Sequence, residues 1–281
     1  MMIHGVGAKI AKMLYDDGYR SIQDLKDKIP SYFNRGQCLG LQYYDELKLR
    51  MTRYQCRVIV EIIFHRIKML TCLEKTTINT ANTASCGNTT DLSKAFKISD
   101  WKNSTVEAVV CGSFRRGKLT CGDIDILIVP KIGYLPHEDL LTQIIHELTI
   151  KDGLITDTLS GTESHKSWMG IIKYEGVHRR LDIKIYPSNE AAFALLYFTG
   201  SGNFNRSMRL FARKLGYSLT DRELRRVIRQ KQNVKLNMGT PVKCESEQDI
   251  FEALGLEYRY PFMREVDLKV VNTKGSPNVN R

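Results

Sequence analysis

The run Asp123-Ile-Asp-Ile-Leu-Ile-Val129 sets two carboxylates two positions apart in a segment that is otherwise apolar, β-branched and strand-like. Side chains alternate along a strand, so Asp123 and Asp125 leave the same face of whatever sheet forms. Two ionised carboxylates about 4 Å apart repel by roughly 4 kcal/mol at an effective dielectric near ~20, so such a pair calls for a bound cation or one protonated partner. Hard divalent ions such as Mg²⁺ take these oxygen ligands. A third carboxylate, Asp182, lies in Arg179-Arg-Leu-Asp-Ile-Lys-Ile185, a second strand-like run able to lie beside the first. Three carboxylates on neighbouring strands suit two-metal phosphoryl transfer, in which one ion lowers the pKa of the attacking hydroxyl and the other binds the triphosphate and leaving oxygen. The plainer alternative makes Asp123 a turn residue after Gly122 and Asp125 an exposed strand position.

Upstream, Gly112-Ser113 and Arg116 weigh against that alternative. A Gly-Ser turn brings backbone N–H groups and a hydroxyl close to a phosphate, and arginine grips the same anion with a planar fork of donors. Either Arg115 or Arg116 is expected to do so, the other being a solvated basic side chain. Lys184, two residues after Asp182, shares its face and is a candidate to neutralise the cluster and compete for Asp125, although plain solvent exposure is the favoured reading of it.

Around this centre the chain reads as α+β. Residues 1–70 are helical: a Gly-Val-Gly turn, an amphipathic run through Ile10, Met13 and Leu14 closed by Gly18, a second unit from Ser21, and a third helix near Leu41 and Tyr44 after Gly40. The stretch 71–100 is a linker or insertion, with a Thr/Asn/Ser-rich part too poor in apolar residues to pack. From 101 to 188 come strands at Val106–Cys111, Ile124–Val129, Ile171–Tyr174 and Leu181–Ile185, with a helix over His137–Thr149, giving a mixed or antiparallel sheet. Residues 189–265 begin with a helix-rich stretch over 191–215 and end in a smaller module with turns at Gly216, Gly239–Pro241 and Gly255. Residues 266–281 read as a tail.

Forty-two Lys and Arg against 31 Asp and Glu leave a formal charge of +11, which suits a polyanionic partner. Seven cysteines, at 38, 56, 72, 86, 111, 121 and 244, include no CxxC pair, which argues against a disulfide framework and a zinc knuckle and for a reducing compartment. No stretch approaches the ~18–20 apolar residues that span a bilayer, and no signal-peptide pattern opens the chain, so no membrane partner is expected.

Taken together, Gly-Ser-Phe-Arg-Arg-Gly with Gly-Asp-Ile-Asp-Ile-Leu-Ile, Arg-Arg-Leu-Asp-Ile, and Tyr197-Phe-Thr-Gly-Ser-Gly-Asn-Phe-Asn205 resemble the family X (beta-like) DNA polymerases. The Thr-Cys-Gly-Asp spelling and the run ending at Arg209 look closer to the lambda branch and its fungal relatives. The resemblance implies that Asp123 and Asp125 bind two Mg²⁺ ions, with Mn²⁺ as an alternative, and that Asp182 joins them at the catalytic ion. It gives Arg53, Gly112, Ser113 and Arg116 to the incoming triphosphate. Tyr197 and Phe198 would stack on sugar and base, Gly200 would admit them closely, and Asn205 would bond the minor-groove edge of the base. Arg206 and Arg209 would contact the template. Gly5, Gly7 and Lys9 resemble a helix-hairpin-helix turn, where exposed N–H groups at a helix start bind backbone phosphate without reading sequence.

The implied function is DNA-directed nucleotide addition in short-gap repair (base excision repair) or double-strand-break end joining, in the nucleus, with repair proteins as further partners. Gly202 stands where the family often has a charged residue. Relatives carry a lyase domain with a Schiff-base lysine ahead of the hairpin, where this chain begins, so the sequence is expected to be a fragment or a form that lost the lyase. Two rivals are a template-independent, terminal-transferase-like nucleotidyltransferase and an inactive module that bridges DNA ends.

Overall fold

Four short helices open the chain, α1 (Ala8–Asp16), α2 (Ile22–Asp27), α3 (Arg35–Gln42) and α4 (Tyr44–Lys48), in a computed structural model that describes residues 3–72, 101–134, 139–160, 166–229 and 235–265. Ser21 and Asp24 cap α2 reciprocally, as do Asn34 and Gln37 for α3. Ile3, Leu14, Leu25, Phe33 and Leu41 bury one another in a small core of their own. The sequence placed a break at Gly40, but this glycine lies inside α3. A Cβ there would stand 2.9 Å from the His4 backbone nitrogen, so glycine serves the packing of the chain start against α3 rather than a helix end.

After β1 (Met51–Thr52) comes α5 (Arg53–Thr71), capped by Thr52 and Gln55. Its buried stripe of Cys56, Ile59, Val60, Ile63 and Ile67 has helical spacing and lies against a five-stranded sheet. The strands are β2 (Val106–Val110), β4 (Asp123–Pro130), β5 (Ile155–Ser160), β6 (Ser167–Tyr174) and β7 (Val177–Ile185), in the order β2-β4-β7-β6-β5. Between β2 and β4 run α6 (Gly112–Arg115) and β3 (Thr120–Cys121), the latter paired with β1, and α7 (Leu140–Ile150) precedes β5. Only β4 and β7 are parallel, so the sheet is mixed. The Thr-rich β5 was not expected from the sequence, because its exposed and half-buried positions lack an apolar face.

Alternation along β4 decides where the site lies. Ile124, Ile126 and Ile128 face α5 and α7, while Leu127 and Val129 face α8 (Ala191–Thr199) on the other side. Asp123 and Asp125 belong to the second row. On β7, Leu181, Ile183 and Ile185 face the α5 side, which turns Arg180, Asp182 and Lys184 toward α8.

The helix-rich stretch expected over 191–215 holds two helices, α8 and α9 (Gly202–Lys214), parted where Gly200 takes φ +67 and Ser201 caps a new start. The three-stranded sheet β8 (Tyr217–Leu219), β9 (Leu224–Arg229) and β10 (Lys235–Pro241) follows, then α10 (Glu247–Ala253). Gly239–Pro241 is not a turn but an irregular stretch of β10, with a register shift between Met238 and Pro241. Phe204, Met208, Leu224, Ile250 and Phe251 form this module's core. None of the six described cysteines is in a disulfide. Cys86, the linker beyond Cys72, His137 and the tail 266–281 lie outside the described residues. Among the described residues no helix is long and apolar enough to cross a membrane.

Candidate active site

The parallel pairing of β4 and β7 sets Asp125 opposite Asp182 and Asp123 opposite Arg180. The three carboxylates are thereby brought to one face at the start of β4. Asp125 keeps some accessible surface, yet burial followed by the charges of Asp123 and Asp182 pushes its carboxyl well above the usual range. Burial likewise raises Asp182 to about 6, with Arg180 pulling against that shift.

Above them the Cys111 N–H donates to the Asp125 carbonyl at 2.8 Å, which folds the Gly-Ser turn over the carboxylates. Gly112 has φ +55, and a Cβ on it would stand 1.9 Å from Asp125 Oδ2, so both conformation and space require glycine. Ser113 Oγ is buried beside the Cys121 thiol with no oxygen or nitrogen partner, and Asp182 Oδ1 is buried with Arg180 Nε 3.4 Å away but no hydrogen bond. Polar atoms buried in this way carry a desolvation cost that a bound ligand relieves.

Sequence reasoning missed the cation at the centre. Arg180 bonds Asp123 through Nη2, with Nε 3.4 Å from Asp182 Oδ1. Among the described residues no three His, Cys, Asp or Glu side chains are gathered closely enough to hold a metal ion as they stand. Lys184, the candidate competitor, has its ammonium over the rings of Tyr197 and Phe198, at 5.6 and 5.2 Å from their centroids. The signal for Arg180 was present, since it lies two positions before Asp182 and so shares its face. The oxygen-only donor set, the buried Asp182 Oδ1 and the raised carboxyls fit a divalent metal ion.

Arg116 caps α6 and donates Nη1 to the Thr199 carbonyl at 2.6 Å and Nε to Glu265. Gly200 leaves room for this, since a Cβ there would come within 3.2 Å of Arg116 Nη1. Arg53 is turned to the protein: its Nη1 donates to the carbonyls of Phe114 at 2.8 Å and Lys118 at 3.1 Å, bracing the turn around Ser113. Arg115, the expected solvated side chain, is instead buried and paired with Glu247 at 2.8 Å, because α6 packs against the C-terminal module.

Tyr197 and Phe198 end α8, half-buried. Asn205 Nδ2 donates to the Tyr197 carbonyl at 2.7 Å, and the Arg209 guanidinium lies 5.0 Å from the Tyr197 ring centroid. Arg206 is exposed and bonded to Asn203. Gly7 caps α1, Lys9 is exposed in its first turn, and Gly5, with φ +73, lines the same cleft as Ser113, Arg116, Asp123 and Arg180.

A sheet that presents two carboxylates on one strand and a third on its parallel neighbour, beneath a Gly-Ser turn, is the palm of a nucleotidyltransferase-type protein. Residues 92–188 match the family model of the DNA polymerase beta palm, 194–265 that of the DNA polymerase beta thumb, and 1–48 that of the fingers domain of DNA polymerase lambda. The chain belongs to the family X DNA polymerases. It is 35% identical over 270 residues to DNA polymerase lambda of Rattus norvegicus, covering 94% of this chain and 41% of that protein. With DNA polymerase lambda of Arabidopsis thaliana the identity is 28% over 272 residues, 93% of this chain and 45% of the relative. The chain thus spans less than half the length of these curated relatives.

Proposed function

We infer that this chain is a DNA-directed DNA polymerase that adds deoxynucleotides to a primer 3′-hydroxyl in gapped or broken duplex DNA, acting in nuclear repair. The observation that bears most weight is the meeting of Asp123, Asp125 and Asp182 on one face of β4 and β7, with Asp123 sharing a cleft with Ser113 and Arg116, a cation site and an anion site side by side. In this reading residues 1–70 grip DNA, 71–100 link, 101–188 hold the chemistry and 189–265 select the nucleotide.

Asp123 and Asp125 would hold two Mg²⁺ ions and Asp182 the catalytic one, once Arg180 has released Asp123. Bound there, the ions lower the pKa of the attacking hydroxyl and neutralise the triphosphate. Ser113 donates its hydroxyl to a phosphate oxygen, and Arg116 supplies charge-assisted donors beside it. Arg53 contributes by holding the carbonyls of the turn rather than by direct reach in this arrangement. Tyr197 and Phe198 face the sugar and base. Asn205 spends one amide N–H on the Tyr197 carbonyl, which orients the second toward a minor-groove acceptor, present on every base pair. Arg206 and Arg209 lie on the exposed side of α9, suited to template phosphates, and the turn around Gly5, Gly7 and Lys9 to a backbone phosphate.

Single-turnover extension of a primer in a one-nucleotide gap, with each deoxynucleotide offered alone, tests this reading. Insertion confined to the base complementary to the template is expected; equal use of all four would replace it with terminal transfer, and no insertion would leave the DNA-bridging alternative. Gap binding should weaken with salt by about 0.9 log units per phosphate contact for each tenfold rise. Gly112→Ala should lower the insertion rate by about 100-fold or more, because its Cβ displaces the Asp125 carboxylate and misplacements of about 1 Å cost that much. A rate within threefold of the parent would remove Gly112 and Asp125 from the site.

A further inference from the structure

We propose that the Glu265 carboxylate occupies the seat of the incoming triphosphate, bridging Arg116 and Lys118, and that displacement of this side chain by the triphosphate lowers nucleotide affinity. The proposal rests on the polymerase reading above and adds a residue that the sequence motifs did not single out.

Glu265 bonds Arg116 Nε through Oε1, and its Oε2 lies 2.9 Å from Lys118 Nζ. It lines the same cleft as Ser113, Asp123 and Arg180. Two oxygens of one anion therefore span the two cations that flank the buried Ser113 hydroxyl, which is the arrangement a phosphate group requires. Burial alone would raise the Glu265 carboxyl, but Lys118 and Arg116 override it and keep it below the usual range, so the side chain stands there as an anion.

The backbone that delivers this carboxylate is fixed. The Arg264 side chain is wholly buried, with Nη1 2.6 Å from Glu247 Oε1 and Nε donating to the Arg259 carbonyl at 2.9 Å, while Ser201 Oγ donates to the Arg264 carbonyl at 2.8 Å. Glu265 itself keeps 24% of its side-chain surface and Lys118 keeps 46%. Rotation of one partly exposed side chain is thus enough to vacate the seat, with no movement of the chain. A triphosphate carries several negative charges against the single charge of Glu265 and wins the exchange. Vacating the seat costs the ion pairs of Glu265, and that cost is subtracted from the affinity of any phosphate that enters it.

The test is equilibrium binding of dTTP, dTDP, dTMP and inorganic pyrophosphate to the full chain and to Glu265→Gln and Glu265→Ala, with thermal melts confirming the fold of each. Both variants should bind dTTP about 3- to 10-fold more tightly, as expected when a competing ion pair of this exposure is removed, with dTMP, whose single phosphate need not enter the seat, gaining no more than dTTP does. Unchanged or weaker dTTP binding in both variants, with the parent binding and inserting dTTP normally, overturns the proposal alone. Failure of the parent to bind any of these phosphates overturns the polymerase reading along with it.

Discussion

Asp182→Asn should lower the rate of nucleotide insertion by at least about 10³-fold, the loss of roughly 4 kcal/mol of transition-state stabilisation that a catalytic metal ligand supplies. The substitution keeps the size of the side chain and removes its charge. Asp182 faces Asp125 in register, and its buried Oδ1 makes no hydrogen bond and has a cation, Arg180 Nε, 3.4 Å away, so its carboxylate is placed to take a cation rather than to hold the fold. Gapped-DNA affinity, measured in parallel, should remain within a few-fold of the parent, because the basic surfaces on α1 and α9 lie elsewhere. If DNA binding and insertion vanish together and the melt collapses, Asp182 is structural and the proposed chemistry loses its third ligand.

Glu247→Gln should destabilise the fold by about 3–5 kcal/mol, the usual cost of removing one partner from a buried ion pair. Glu247 lies between Arg264, 2.6 Å from its Oε1, and Arg115, 2.8 Å from its Oε2, with the Tyr258 hydroxyl donating to it at 3.2 Å. All three charged side chains are at least nine-tenths buried. The amide would leave two guanidiniums uncompensated, and a fall in melting temperature of roughly 10 °C is expected.

The same carboxylate gives the parent an acid limit. Burial would raise its pKa, but Arg264 and then Arg115 hold it down at about 2, below the 4.5 of the unconstrained side chain. A depressed folded-state pKa contributes stability above the unfolded value, and that stability drains away as pH falls from about 4.5 to 2. A depression of this size corresponds to about 3 kcal/mol. Melts between pH 5 and 2 should show the parent losing this increment and Glu247→Gln already without it; equal slopes would assign acid sensitivity to other groups.

Much of the site was legible in the sequence because strand periodicity is a local rule. Two residues apart means one face, so Asp123 and Asp125 belonged together before any fold was known, and the apolar alternation of β4 and β7 marked both as sheet strands. Gly112 and Gly200 were legible as close-approach positions, although the atoms that approach them, Asp125 Oδ2 and Arg116 Nη1, were not. Gly40 misled, since the same residue type that ends helices also admits a neighbouring segment, here His4.

By itself, then, the sequence determined which side chains share a face, where a phosphate turn sits relative to a carboxylate pair, and that the chain suits a polyanion. Partners across the fold were decided only by tertiary structure. Arg180 rather than Lys184 meets Asp123, Arg115 is buried on Glu247, and Glu265 reaches Arg116 and Lys118. The physical reason is that periodicity fixes direction along one element, whereas charge partners are chosen where separate elements pack. There the parallel register of β4 with β7, and the docking of α6 against α8 and α10, set distances that no local pattern contains.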